Sequence, residues 1–302
     1  MMHPTTEALP VAVVIASKGR PAVLGDTLES VLRLQGNPEI VLVVTCPADL
    51  GEGMTSHPRI RTLIGPVGAT FQRNAGIAAL NLDSLEAVVF FDDDVEVHPA
   101  YLVRLIAMMR ARSDIVGGSG KSLRDGDVSR EEARAMVEQW RPAGPDEFRT
   151  KCKRWTLYGC NMYIRASVLK EVRFDENLPS FAFQEDYEIS IRLRRLGSVG
   201  RLDNAVCVHL KSPGGRVNHR RVSYAMIANN LYFLRKGTVH LPMALAILRF
   251  IYVATMLVPF VECHRRFHGG LWEDRRLWWE GCGRAWLDMV RGRCEPSRIL
   301  QL

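Results

Sequence analysis

The chain has 302 residues, 47% hydrophobic and 24% charged, with a formal net charge of +7. That length holds one large domain or two smaller ones, and the balance excludes a disordered or fibrous protein. Seven cysteines without a CxxC pair suit a reducing compartment better than a disulfide framework.

The first ten residues, MMHPTTEALP, lack a basic and then apolar leader. The chain is therefore expected in the cytosol or at the cytosolic side of a membrane. Short apolar runs predict strands over 11–16, 40–45, 60–64, 87–91 and 114–118. Helical periodicity predicts helices over 21–34, 69–80 and 99–112, with Pro21 suited to a first helical turn. Near-continuous apolar strands alternating with helices predict an α/β fold, a mostly parallel sheet covered on both faces. Ligands bind such sheets at the carboxyl ends of the strands. Residues 17–20 and 92–94 both fall at such ends.

Residues 122–147 read as a polar loop with a short helix over 130–140. "WTLYGCNMYIRASVLKEV" reads as a strand, a turn and a helix; "FQEDYEISIRLRRLG" as a helix starting near Glu185; "AVCVHL", over 205–210, as a short strand. The stretch 239–261 is mostly apolar but holds Arg249 and is bracketed by Pro242 and Pro259. A span needs about 20 apolar residues, and a central Arg costs about 2.5–3.5 kcal/mol on insertion. A packed helix, a helix in the membrane interface and a span all stay open. The Arg- and Trp-rich segment that follows has the composition of a membrane interface. Cys263, His264, His268, Cys282 and Cys294 are metal-ligating residue types, but their spacing matches no zinc finger.

The acids carry the chemistry. "VVFFDDDVEVHP" sets Asp92, Asp93 and Asp94 at a strand end. Carboxylates that close raise each other's pKa. Mg²⁺ or Mn²⁺, which prefer oxygen ligands, would relieve the repulsion and suit a diphosphate substrate. Glu185 and Asp186 open a helix, where acids complement the dipole; a carboxylate outside the metal cluster also suits a general base. His209 ends a strand, as a structural residue or as a metal ligand.

In order along the chain, "VAVVIASKGRP", "GATFQRNAGI", "VVFFDDDVEVHPAYL", "GCNMYIRASVLKEVRFDENL", "FQEDYEISIRLRRLG" and "AVCVHL" resemble the motifs of family 2 glycosyltransferases with the GT-A fold. The resemblance covers roughly residues 10–236. It implies a GT-A domain over 1–236, with a nucleotide-binding half at about 10–120 and an acceptor half at about 121–236, then a helical, partly apolar tail over 237–302. By position, Asp92 and Asp94 are the acids of the DxD motif, with Asp94 the principal metal ligand and Asp92 nearer the sugar or ribose. Asp93 is the middle residue, a helper outside the ligand set, and His209 completes the metal site. Asp186 is the implied catalytic base, with Glu185 orienting it or touching the acceptor. Ala16 and Ser17 fall in the nucleotide loop; Arg20 and Arg73 face the nucleotide or its phosphates; Asn74 braces the loop.

The implied activity is inverting, metal-dependent transfer from a nucleoside-diphosphate sugar to a glycan or lipid-linked hydroxyl. The implied setting is cell-surface polysaccharide or lipopolysaccharide synthesis, peripheral at the inner face of the plasma membrane. The family's uracil-contacting acid is missing at Thr45 and Cys46, with Asp49 a few residues on, so UDP, dTDP and GDP donors all stay open. Residues 192–236 hold ten Lys or Arg and one acid, Asp203, which reads as a solvated face, a phosphate site or a contact with anionic membrane. Lys211, Arg216 and Arg220 are its candidate phosphate contacts. With no recognisable nucleic-acid motif beside the charge, nucleic acid is not expected as a partner. A sugar nucleotidyltransferase and a non-catalytic membrane-associated scaffold are the alternatives; the single glycine of "ASKGRP" counts against the first, and the intact acids at 92, 94 and 186 against the second.

Overall fold

The structure, a computed structural model, describes residues 8–302 apart from 52–53, 55, 143, 145–147, 151–156, 213–217, 240–241, 243–244, 247–248, 250–252 and 254–270. Most of the apolar stretch 239–261, with Cys263, His264 and His268, lies outside the described residues.

Four apolar runs become neighbouring strands: β1 (Val11–Ser17), β2 (Glu39–Val44), β3 (Ile60–Ile64) and β4 (Ala87–Asp92). β1 lies between β2 and β4, β2 pairs with β3, and all these pairs are parallel. The sheet continues through β5 (Val95–Val97), β6 (Ile115–Asp125), β7 (Phe148–Arg149), β8 (Asn161–Arg165) and β9 (Ser198–His209) in the order β3-β2-β1-β4-β8-β6-β9-β5, with β7 on β9. β6 and β9 run with the first four strands; β5, β7 and β8 run against them. The mostly parallel α/β sheet is thus as expected.

Side chains alternate across a strand, and both faces here are covered. Val11, Val13 and Ile15 of β1 share a core with Leu24, Leu28 and Val31 of α1 (Pro21–Leu32). Val14 joins the other core with Val41, Val43, Val88 and Phe90, where Ile77 of α2 (Ala69–Ala78) packs. α3 (Tyr101–Ala111) adds Leu102, Leu105 and Ile106 to the first core. α4 (Arg130–Gln139) opens on a capping box, Ser129 with Glu132, and α5 (Ala166–Leu169) follows β8.

The far half of the sheet departs from the sequence expectation. β5 was not expected, β6 runs on to Asp125, and β9 begins at Ser198 rather than at 205. The cause is irregular pairing: β6 and β9 shift register between Gly120 and Lys121, where Leu202 gives way to Val206, and again between Ser122 and Asp125. Bulges break the period of two that a sequence reading relies on.

The chain divides into two compact units, one of residues 1–67, 71–174 and 189–215, the other of 68–70, 175–188 and 216–302. The first contains the whole sheet. The second contains the start of α6 (Glu185–Leu193), α7 (His219–Lys236) and α8 (Leu271–Val290). Asn218 caps α7 by accepting the Arg221 N–H, and Gly237 closes it at φ 72°. α8 lies tightly on α7: a Cβ at Gly281 would come within 2.0 Å of Ser223 Oγ and 2.2 Å of the Arg220 carbonyl oxygen. Arg220 pairs with Glu280, and Tyr224 Oη donates to Asp288 at 3.0 Å. Among the described residues, no helix is long and apolar enough to cross a membrane.

Candidate active site

In the first unit, Ser17, Asp92, Asp125 and His209 end β1, β4, β6 and β9. These four strands run in one direction, so their carboxyl ends share one edge of the sheet. One ligand atom each from Asp92, Asp94 and His209 lies within 4.8 Å of the others. His209 Nε2 is 3.3 Å from Asp94 Oδ1 and 3.9 Å from Asp92 Oδ2. On the other side of the ring, Nδ1 is 2.8 Å from Asp125 Oδ1. Asp125 also accepts from Tyr158 Oη at 2.5 Å and from Lys211 Nζ at 2.5 Å.

Burial works against the charged imidazolium of His209. Hydrogen bonds to Asp125 and Asp94, with the charges of Asp92 and Asp94, nevertheless push its pKa up to about 10. With Arg20 and Arg73, a proton on His209 sets positive charge among the carboxylates. Asp94 is buried, which opposes its ionisation, yet His209, Arg20 and the Ser212 N–H at 2.8 Å hold it below the usual carboxylate range. Two carboxylates and an imidazole form a donor set that fits Mn²⁺ and tolerates Mg²⁺. Binding would displace the proton, because a metal takes the neutral ring.

Asp93 is more than a spacer. Its carboxylate accepts from Ser17 Oγ at 2.5 Å and from Arg20 Nε at 3.2 Å, and a second Arg20 nitrogen pairs with its other oxygen. Burial pushes it up to about 6 against the pull of Arg20 and Ser17, with Asp94 and Asp92 adding to the rise. Its carbonyl accepts from Thr27 Oγ1 at 2.8 Å. Asp93 thus anchors the acidic turn to β1 and α1.

Several residues expected on the nucleotide or its phosphates have partners within the protein. Arg20 spans Asp93, Asp94 and the Ser212 carbonyl. Buried Arg73 donates to Asp92 at 3.0 Å and to the Gly159 carbonyl at 3.3 Å. Lys211 sits on Asp125, and Arg220 on Glu280; Arg216 lies outside the described residues. Ala16 is paired in the sheet with Val43 and Asp92. Asn74 exchanges hydrogen bonds with the Phe174 backbone at 2.9 and 3.0 Å. Asp49 is saturated: one oxygen accepts from Gly19 N at 2.6 Å, the other from Thr45 N, Thr45 Oγ1 and Cys46 N at 3.0, 2.6 and 3.2 Å. It ties the loop after β2 to the loop after β1.

In the second unit, Glu185 and Asp186 open α6, and the Tyr187 N–H donates to Asp186 Oδ1 at 2.7 Å. The approach to this turn is strained: Ser180, Ala182 and Gln184 have φ of 61°, 49° and 67°. α7 holds it, with Asn229 Nδ2 donating to the Phe183 carbonyl at 2.6 Å and Asn230 Nδ2 to Gln184 Oε1 at 2.9 Å.

The sequence reading missed Asp125 and Tyr158. Asp125 sits in what read as a polar loop, and only its strand pairing with His209 gives it a place at the site. The tyrosine offered no signal beyond an aromatic in a stretch read as a strand, a turn and a helix.

A mostly parallel sheet with a cluster of acids at the carboxyl ends of its strands fits the architecture of a GT-A glycosyltransferase. Residues 12–173 match the family described as Glycosyl transferase family 2; the chain belongs to that family and is a glycosyltransferase. Compared with curated proteins, the chain matches none. Among solved structures it is similar to TarS from S. aureus, at 15% identity and a TM-score of 0.58, over 96% of this chain and 82% of that one. TarS has also been solved in complex with UDP-GlcNAc. A second likeness is to the mannosyltransferase PcManGT from Pyrobaculum calidifontis in complex with GDP-Man and Mn²⁺, at 13% identity and a TM-score of 0.56, over 95% and 87% of the two chains. At these identities the likeness is one of fold.

Proposed function

We propose that this glycosyltransferase moves a sugar from a nucleoside diphosphate to a hydroxyl of a glycan or lipid-linked acceptor, with inversion and with Mn²⁺ or Mg²⁺. The observation that carries the reading is the convergence of Asp92, Asp94 and His209 within 4.8 Å. The nucleotide sugars bound by TarS and by the archaeal mannosyltransferase support the donor class.

Asp92, Asp94 and neutral Nε2 of His209 would hold the cation. When bound, it supplies positive charge against the diphosphate that leaves. Asp125 keeps the proton on His209 Nδ1, which aims Nε2 at the cation. Arg73 steadies Asp92, and the Arg20–Asp93 pair steadies the turn between the ligands. Asp186 takes the acceptor proton as the hydroxyl attacks the anomeric carbon, with Tyr187 N–H fixing one of its oxygens and Glu185 orienting it. The new bond forms opposite the breaking bond to the diphosphate, which inverts the centre, as in inverting hydrolysis.

The setting we propose is cell-surface polysaccharide or lipopolysaccharide synthesis at the inner face of the plasma membrane, supported by the basic block over 192–236 and the Trp/Arg-rich tail. Asp94→Ala and Asp186→Asn are expected to abolish transfer while leaving circular dichroism and melting intact; full transfer by both would overturn the assignment. A thermal-shift screen of UDP, dTDP, GDP and CMP, with and without Mn²⁺, reads the donor base directly. Stabilisation by none of the four would count against nucleotide-sugar chemistry.

A further inference from the structure

α8 is amphipathic in an unusual sense: its outward face is apolar and aromatic. The inward face is committed to α7 through the close approach at Gly281, the buried Cys282 and Ala285, and the Tyr224–Asp288 hydrogen bond. At about 100° per residue, Trp279, Trp286, Leu287 and Val290 fall on one arc of roughly 100° on the other side. They are 40, 40, 47 and 84% exposed. From Trp279 to Val290 the stripe runs about 16 Å along the axis. Apolar side chains exposed together along one line mark an interaction surface more than isolated ones do.

Charge identifies the occupant. Arg284, Arg291 and Arg293 are exposed on and just beyond the same helix. Among the described acids near them, Glu280 pairs with Arg220 and Arg276, Asp288 with Arg298, and Glu295 with Arg235. What faces outward is therefore an apolar stripe with exposed arginines beside it. Tryptophan prefers the headgroup level of a bilayer, and arginine beside it meets anionic lipid. Exposed arginines beside an apolar, tryptophan-bearing stripe suit an anionic lipid surface better than a protein partner of ordinary composition.

We propose that the outward face of α8 is a docking surface for an anionic lipid bilayer, which the helix meets lying in the interface plane rather than crossing it. The inference rests on the membrane-side setting proposed above and names the surface that makes it; it does not depend on the transfer chemistry.

The test is sedimentation of the full-length protein with phosphatidylcholine vesicles, with and without phosphatidylglycerol. Binding is expected with the anionic lipid, with a blue shift of tryptophan emission, and weaker binding without it. Trp279→Ser with Trp286→Ser, and separately Arg284→Glu with Arg291→Glu, are each expected to weaken binding by ~tenfold or more, while Trp279→Phe with Trp286→Phe retains most of it. Unchanged melting and unchanged nucleotide-induced thermal shifts in these variants separate a lost docking surface from a lost fold or donor site. No binding of wild type to anionic vesicles would overturn the proposal, as would binding that both variant pairs leave intact. A concentration-dependent dimer in solution, abolished by the same tryptophan substitutions, would overturn it in favour of self-association.

Discussion

Asp125 is placed to act through His209. It lies 2.8 Å from His209 Nδ1 and is neutralised by Lys211, the arrangement that fixes a ligating imidazole's tautomer and direction. Asp125→Asn keeps the shape but loses the charge, and is expected to weaken Mn²⁺ binding by about 10–100-fold, measured by calorimetry, with little change in melting. Asp175 makes a prediction about pH. Its side chain is buried against Lys236 Nζ at 2.6 Å and Tyr232 Oη at 2.8 Å. Burial opposes its ionisation, but Lys236, the Asn177 N–H and Tyr232 outweigh it and set the pKa below the ordinary value. A depressed folded value contributes stability above about pH 4, where the unfolded carboxylate is ionised, and that contribution is lost as pH falls through the folded value. Asp175→Asn should therefore cost about 1–2 kcal/mol at pH 7, with the gap to wild type closing in acid; urea titrations at pH 7 and pH 3 measure it.

Elements are positioned here by a few close contacts. α8 is held to α7 where Gly281 admits Ser223 and the Arg220 backbone. Because backbone cannot yield cheaply, Gly281→Ala must push the helices apart, at an expected cost of about 1–3 kcal/mol in denaturant unfolding. The turn before α6 is another such case. Positive φ at Ser180, Ala182 and Gln184 is unfavourable for residues with a Cβ, so Asn229 and Asn230 of α7 must hold the segment that leads into Glu185 and Asp186. Lys236, on the same helix, pairs with buried Glu188 at 2.7 Å. These contacts make α7 the support for the first turn of α6.

Across the whole molecule, stability and ligand binding are linked. A cation that binds only the folded chain raises its stability, by about 2.7 kcal/mol at a hundredfold excess over Kd. Mn²⁺ is expected to raise the melting temperature of the wild-type protein, EDTA to reverse the rise, and Asp92→Ala to remove it; differential scanning calorimetry reads all three. The described cysteines, Cys46, Cys160, Cys207, Cys282 and Cys294, are free thiols. Nothing in the fold they support depends on a covalent link among them.

The sequence by itself determined the parallel half of the sheet, the acidic turn and the acid-bearing helix start. Those are local facts: apolar runs buried on both faces, three adjacent carboxylates and a pair of acids in a first turn can each be read within a dozen residues. It also determined that Asp92, Asp94 and His209 belong together, through motifs spread over a hundred residues. Tertiary structure decided the rest. Asp93 turned out to be the anchor of the turn because Ser17 and Arg20, distant in sequence, arrive at its two oxygens. Asp49 is spent on backbone N–H groups of two loops, which no spacing shows. The irregular register of β6 and β9 brought Asp125 to His209, and bulged pairing leaves no periodic trace in a chain. Trp279 and Trp286 of α8 read as interface residues by composition alone, but only the packing of α7 decided which side of the helix remains open.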